Sequence, residues 1–147
     1  MSLIYPTVQL KLKKRKNDTL VFDVVRKKWI PLTPEEFVRQ HFVNYLIHQK
    51  GFPAQLISIE KEINLFNVKK RYDVAVLNKD LNILLLAECK APTIDISNSE
   101  VVEQILRYNI DMNAQTLIIT NGVAQYVFEK LNTQWNQIPD IKNFMEY

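Results

Sequence analysis

Ile83-Leu84-Leu85-Leu86-Ala87-Glu88-Cys89-Lys90 decides the fold: five consecutive apolar residues stop at a carboxylate and an ammonium two positions apart. Bounded by Asn82 and Glu88, the run reads as a central strand with both faces buried. Side chains alternate along a strand, so Glu88 and Lys90 share one face, about 7 Å apart. A buried carboxylate is costly without compensation, and a metal ion with a neighbouring cation supplies it. The end of this strand is therefore the candidate active site, and its chemistry is that expected of a metal-dependent nuclease.

On the amino side, Tyr72-Asp73-Val74-Ala75-Val76-Leu77 reads as a second strand, joined to the first by turn-forming residues 78–82. An antiparallel return places Asp73 near Glu88. Residues 56–65 are rich in β-branched side chains and read as a further strand, with Lys69-Lys70-Arg71 following. Upstream, Thr33-Pro34-Glu35-Glu36 opens a helix to about Gln49, with Thr33 as N-cap, Pro34 at the first position and Gly51 and Pro53 after its end. Val38, Phe42, Tyr45 and Leu46 form its buried stripe. The 3.6-residue period puts Glu35 on that stripe and gives Glu36 to a capping box with Thr33. Residues 8–16 and 20–22 flank a turn at Asn17-Asp18 and read as a β-hairpin. Its basic tip, Lys13-Lys14-Arg15-Lys16, suits either phosphate contact or plain solvation.

On the carboxyl side, Ser97 and Glu100 form a second capping box, opening a helix to about Met112. Val101, Ile105, Tyr108 and Met112 lie along one side, and Gln104 neighbours Tyr108 four residues on. Thr116-Leu117-Ile118-Ile119-Thr120 is another apolar strand, Asn121-Gly122 a tight turn and Gln125-Tyr126-Val127-Phe128 a further strand. After Trp135 and Pro139, residues 140–147 are expected to pack back as a terminal helix. The fold class is α/β (α+β), a central mixed sheet flanked by helices.

A length of 147 residues suits one domain: a hairpin extension over 1–30, a core over 33–130 and a tail or helix over 131–147. Apolar residues at 47% and charged residues at 24% describe an ordinary globular chain. The single cysteine, Cys89, excludes an internal disulfide and a cysteine-rich zinc site and fits a reducing compartment. The amino end lacks the pattern of a signal peptide, and no apolar run approaches the roughly 20 residues of a spanning helix, so a cytoplasmic location is expected. A net charge of +3 is compatible with a polyanionic partner without requiring one.

Glu88-Cys89-Lys90 alone would decide nothing; its setting does. The chain resembles the PD-(D/E)XK nuclease superfamily, and within it the N-terminal nuclease domain of type I restriction enzyme R subunits. The resemblance covers most of the chain. It runs through Asp23-Val24-Val25-Arg26, Leu32-Thr33-Pro34-Glu35-Glu36-Phe37-Val38-Arg39-Gln40, Lys70-Arg71-Tyr72-Asp73, Ala87-Glu88-Cys89-Lys90-Ala91-Pro92, Gln104-Ile105-Leu106-Arg107-Tyr108 and Thr120-Asn121-Gly122. Tyr72 stands where the superfamily name has proline.

The resemblance implies a restriction-endonuclease-like core and Mg²⁺-dependent hydrolysis of DNA phosphodiester bonds. Asp73 and Glu88 are hard oxygen ligands for Mg²⁺, with the Cys89 backbone carbonyl as a further ligand and Mn²⁺ as a substitute. Lys90 either orients or deprotonates the attacking water or stabilises the developing anion. Glu35 completes the acidic cluster, Gln104 and Tyr108 position the lysine or the phosphate, and Lys70 and Arg71 contact the DNA backbone. The expected partners are DNA and either a second copy or the subunits of a restriction system. Two isolated glycines, Gly51 and Gly122, do not make a G-x-x-x-x-G-K-[ST] loop, so no translocase is expected in this chain. Two other readings stand beside this one. The first is a non-catalytic nucleic-acid-binding or assembly module, and the second an α/β protein in which Glu88 and Lys90 form a structural ion pair.

Overall fold

The computed structural model describes residues 2–65, 67–109 and 112–147. Among them lie strands β1 (Leu12–Arg15), β2 (Asp18–Asp23), β3 (Lys28–Pro31), β4 (Ile57–Leu65), β5 (Val68–Leu77), β6 (Ile83–Cys89), β7 (Thr116–Thr120), β8 (Gln125–Leu131) and β9 (Gln134–Ile138), with helices α1 (Pro34–His48) and α2 (Ser99–Tyr108). The architecture is α+β, as the sequence implies. A six-stranded sheet runs β4-β5-β6-β7-β8-β9, and β1-β2-β3 form a separate sheet. Neighbouring strands are antiparallel except β6 and β7, which are parallel. No helix among the described residues is long and apolar enough to cross a membrane.

β6 is central because both of its faces are apolar. Leu85 and Ala87 pack with Val38, Phe42 and Leu46 of α1, while Leu86 packs on the opposite face with Tyr72, Leu117 and the α2 side chains Val102 and Leu106. Full burial of one such leucine contributes about 1.5–3 kcal/mol, so the two-sided run fixes this strand in the middle. α1 begins as expected, the Glu36 amide donating to Thr33 Oγ1 at 3.0 Å with Pro34 next to the cap. The reciprocal half of the capping box is missing: the Thr33 amide donates to Pro31 O, and the Glu36 carboxylate is engaged elsewhere.

Five expectations are corrected here. The amino-terminal hairpin gains a third strand, β3, because the Asp23 carboxylate accepts the Val25 and Arg26 amides at 2.8 and 2.7 Å and turns the chain back. α2 is capped by Asn98, whose side chain accepts the Glu100 amide, while Ser97 donates to Asp95. The helix stops at Tyr108, where the Asn109 side chain takes the Ile105 carbonyl. Val102 and Leu106 are the helix side chains that pack on the core, half-buried like Val101 and Ile105, which do not join it, while Met112, past the helix end, is buried there as expected. The carboxyl end forms no α-helix: residues 134–138 make edge strand β9, and only a 3-10 turn, Phe144–Glu146, follows. A two-residue turn with Asn132 at φ +57° returns the chain onto β8, letting Trp135 reach the core.

Gly122 sits at φ +80°, and a Cβ there would lie 2.6 Å from Leu3 Cδ2 and 3.2 Å from Val38 Cγ2. The Gly122 carbonyl also accepts the Ile4 amide at 2.8 Å, so the glycine lets the amino-terminal segment lie across this turn. Gly122→Ala is expected to cost about 1–2 kcal/mol from the left-handed backbone alone. Urea denaturation checks this; a change within about 0.5 kcal/mol, typical of a neutral surface site, would remove the argument.

Candidate active site

The β5–β6 ladder runs from Leu77–Ile83 to Val74–Ala87 and stops. Beyond that point the strands no longer pair, and Asp73 and Glu88 face the gap. Asp73 Oδ2 accepts the Cys89 amide at 2.7 Å, satisfying a donor that the lost ladder leaves open. Alternation along β5 also breaks there. Val74 and Val76 join the cluster under α1, and Tyr72 and Ala75 join the one under α2, yet Asp73 turns to α1, 3.4 Å from Arg39 Nη2. On the other side Glu60, at φ +50°, drops out of the β4–β5 ladder opposite Asp73. Such irregularities re-aim side chains, and here the re-aimed one is a candidate catalytic acid.

Glu88 is half-buried, and its carboxyl is pushed up to about 8, first by burial and then by the charge of Asp73, with Lys90 pulling the other way. The Lys90 amide donates to Thr120 O at 2.8 Å, which fixes its backbone beside β7. Its half-buried ammonium makes no ion pair among the described residues. The Cys89 thiol is buried under α1 and held well above its ordinary value, first by burial and then by Asp73, so it is a packing group and not a nucleophile.

Behind this edge lies a buried charge network that the sequence reading missed. Arg39, 3% exposed, pairs with Glu36 through Nη1 and with Glu35 through Nη2 at 2.8 Å, besides its approach to Asp73. Arg26 pairs with Glu36 at 2.6 Å, Asp23 at 2.7 Å and Glu60 at 3.0 Å, and Gln40 Nε2 donates to both Asp23 and Glu36 at 2.9 Å. Burial opposes ionisation of Asp23, but the amide and guanidinium of Arg26 outweigh it and hold the carboxyl below its usual range. The readable signal was spacing: Arg39 stands four residues after Glu35 and three after Glu36.

The assignment of the two helix acids is thereby corrected. Glu36 is the buried one, drawn in by Arg26 and Arg39, while the Glu35 side chain is 43% exposed at the rim. Glu35 still adds negative charge around Glu88. Arg71 is exposed and 3.6 Å from Glu60, and Lys70 lines a groove with Glu100, Glu103, Gln104 and Arg107. Gln104 is exposed and bonds to none of Asp73, Glu88 or Lys90 among the described residues. The side chain of Tyr108 lies outside the described residues. Among the described residues no three His, Cys, Asp or Glu side chains converge as a metal cage. Asp73 is close enough to Glu88 to raise the cost of ionising it.

A model of the family described as "Type I restriction enzyme R protein N terminus (HSDR_N)" matches residues 34–142. The chain belongs to this family. The match includes α1, the Asp73–Glu88 edge and Gln104, and begins just after β3. Among solved structures, a fragment assigned to the HsdR subunit of a type I restriction enzyme from Vibrio vulnificus YJ016 shares the fold, with a TM-score of 0.56 and 13% identity over 76% of this chain. The present chain covers 24% of that chain. The comparison with curated proteins gives no match. Family membership supports a role of restriction-enzyme type.

Proposed function

We propose that the chain is a Mg²⁺-dependent DNA endonuclease of the PD-(D/E)XK kind. One observation carries the reading: two carboxylates meet where strands part, and a half-buried lysine that makes no ion pair among the described residues stands on the same strand end. Two carboxylates whose mutual repulsion and burial push one of them up to about 8 form a donor set that a dication relieves. Mg²⁺ commonly takes only one or two protein carboxylates, the rest of its shell being water and phosphate, so a three-acid cage is not needed.

Asp73 and Glu88 would hold the ion, with the Cys89 carbonyl as a third oxygen. Bound there, Mg²⁺ or Mn²⁺ supplies a dication that polarises the scissile phosphate and makes water more acidic. Asp73 is oriented for this by the Cys89 amide and by Arg39, which hold it from two sides. Lys90 projects into the same space and donates to the attacking water or to the phosphate oxygens. Glu35 keeps the rim acidic, which favours a cation at the edge. Lys70 and Arg71 on β5 contact phosphates outside the scissile one. Gln104 and Tyr108 act from α2 on the lysine or the phosphate. Double-strand cleavage is simplest with two such sites, which makes a second copy or the other restriction subunits the expected partners.

The exposure of Gln104 favours one second reading, a nucleic-acid-binding or assembly module that keeps the fold without cutting. Supercoiled plasmid and single-stranded DNA incubated with Mg²⁺, with Mn²⁺ and with chelator separate the two. Metal-dependent cleavage by the wild type that drops about 100-fold or more in Asp73→Ala is the expected result. Cleavage untouched by that substitution would refute the assignment, and binding without cutting would establish the module.

A further inference from the structure

The family match begins at residue 34, so the β1-β2-β3 sheet lies outside it. This sheet holds the chain's basic charge. Between residues 11 and 31 lie eight of the 19 Lys and Arg residues but only two of the 16 acids, so the remainder of the chain is net acidic. All five basic residues of 11–16 are exposed, as are Lys27 and Lys28 in the turn and first position of β3. Among the described residues none of these seven forms an ion pair. The one basic residue of the segment that does is Arg26, which anchors the sheet.

These cations are held in place. Lys13 and Arg15 fall on one face of β1 by alternation, about 7 Å apart, with Lys11 just before the strand. Lys13 Nζ lies 4.2 Å from the centre of the Trp29 ring, and Lys11 Nζ lies 5.2 Å from that of Phe22. Past the β2–β3 turn the basic surface continues into a cleft lined by Arg26, Lys27, Lys28, Lys61 and Arg71, with Glu60 among them paired to Arg26 and Arg71. Arg26 is tied to Glu36 and Glu60, and the same Glu36 is tied to Arg39 beside Asp73. The basic sheet and the acidic edge therefore share one rigid frame.

We infer that the β1-β2-β3 sheet and the cleft it forms with β4 hold the sugar-phosphate backbone of duplex DNA to one side of the Asp73–Glu88–Lys90 edge. The position of the scissile bond rests on the nuclease reading; the docking surface does not. A duplex carries one negative charge per about 1.7 Å of axis, the kind of linear anion that a row of unpaired cations matches. A single strand is the poorer fit, since single-strand binders offer open aromatic faces for base stacking and here lysines cover Trp29 and Phe22.

The test is binding of a fluorescent duplex in chelator, where no cleavage competes, across a salt series. Lys13→Ala/Lys14→Ala is compared with Lys79→Ala/Lys130→Ala, which removes the same charge beside the β5–β6 turn, at the far end of the sheet from Asp73. The first pair is expected to flatten the slope of log K against log[salt] by about 2 and to weaken binding at least tenfold, with the thermal midpoint unchanged. The control pair should leave the slope near wild type. Equal effects from the two pairs, an unchanged slope in the first, or tighter binding of the single strand would each overturn the inference. Asp73→Ala separates it from the nuclease reading: loss of cleavage with binding in chelator intact leaves the docking surface standing, whereas cleavage by a protein whose binding ignores Lys13 and Lys14 leaves only the nuclease.

Discussion

An Arg39→Met variant is expected to lose about 3–5 kcal/mol of folding stability, the usual cost of removing one partner from a buried ion pair. The guanidinium is 3% exposed and faces Glu36, itself 5% exposed, together with Asp73 at 18%. Burial works against its charge, but Glu36 and Asp73 outweigh this and raise its pKa further. Its contacts to Glu35 and Glu60 are exposed enough to count for little. Methionine keeps most of the volume, so the loss reports the charges left behind: a buried Glu36 shared by Arg26 alone, and Asp73 without its cation. Replacing both members, as Glu36→Leu/Arg39→Met, is expected to recover the part of the loss that comes from a stranded Glu36, because the apolar pair leaves no such carboxylate. Guanidinium unfolding of the singles and the double gives the coupling. A single-variant loss under about 1 kcal/mol, or a double variant no better than the sum, would show that the network does not stabilise the fold.

The second large effect is on rate. Lys90→Ala is expected to lower single-turnover cleavage by about 100–1000-fold, the range seen when one preorganised donor is removed from a developing charge. The side chain is half-buried at the end of β6, its backbone is clamped to Thr120, and no acid neutralises it by a direct pair among the described residues. Duplex binding in chelator should be unchanged, since the ammonium acts at the reacting centre. Lys90→Arg distinguishes the roles left open. Arginine keeps the charge but cannot accept a proton near neutral pH, so a variant that retains most of the rate marks Lys90 as a stabiliser and one as slow as alanine marks it as a base. Cleavage by Lys90→Ala at the wild-type rate would exclude both.

The meeting of Asp73 and Glu88 at one strand end was legible because it depends on strand arithmetic. A doubly apolar run ending in Glu88 had to be central, and the five turn residues at 78–82 brought Asp73 back beside it. The start of α1 was equally readable from Thr33 and Pro34, which act through their own backbone. Most of what failed depended on partners remote in sequence, the cap of α2 being the local exception. Glu36 is buried because Arg26 arrives from another sheet, a fact absent from the period of α1. β3 and β9 are short edge strands that mix apolar and polar residues, and their partners define them more than their own composition does. Asn98 displaced Ser97 as a cap once Asp95 had taken the serine.

The parallel pairing of β6 with β7 has a practical consequence for how the protein is handled. Cys89 lies opposite Thr120, so β7 ends beside the Asp73–Glu88 edge, and Tyr5 OH donates to Thr120 Oγ1 at 2.6 Å. The amino terminus is thus stapled close to Lys90. Tyr147 OH bonds at the opposite end of the same strand, to Thr116 Oγ1 at 2.6 Å, four residues or about 13 Å away. An affinity tag or fluorophore fused before Ser2 would crowd the Asp73–Glu88–Lys90 edge. The carboxyl end is the place to attach a label, a surface anchor or a fused reporter.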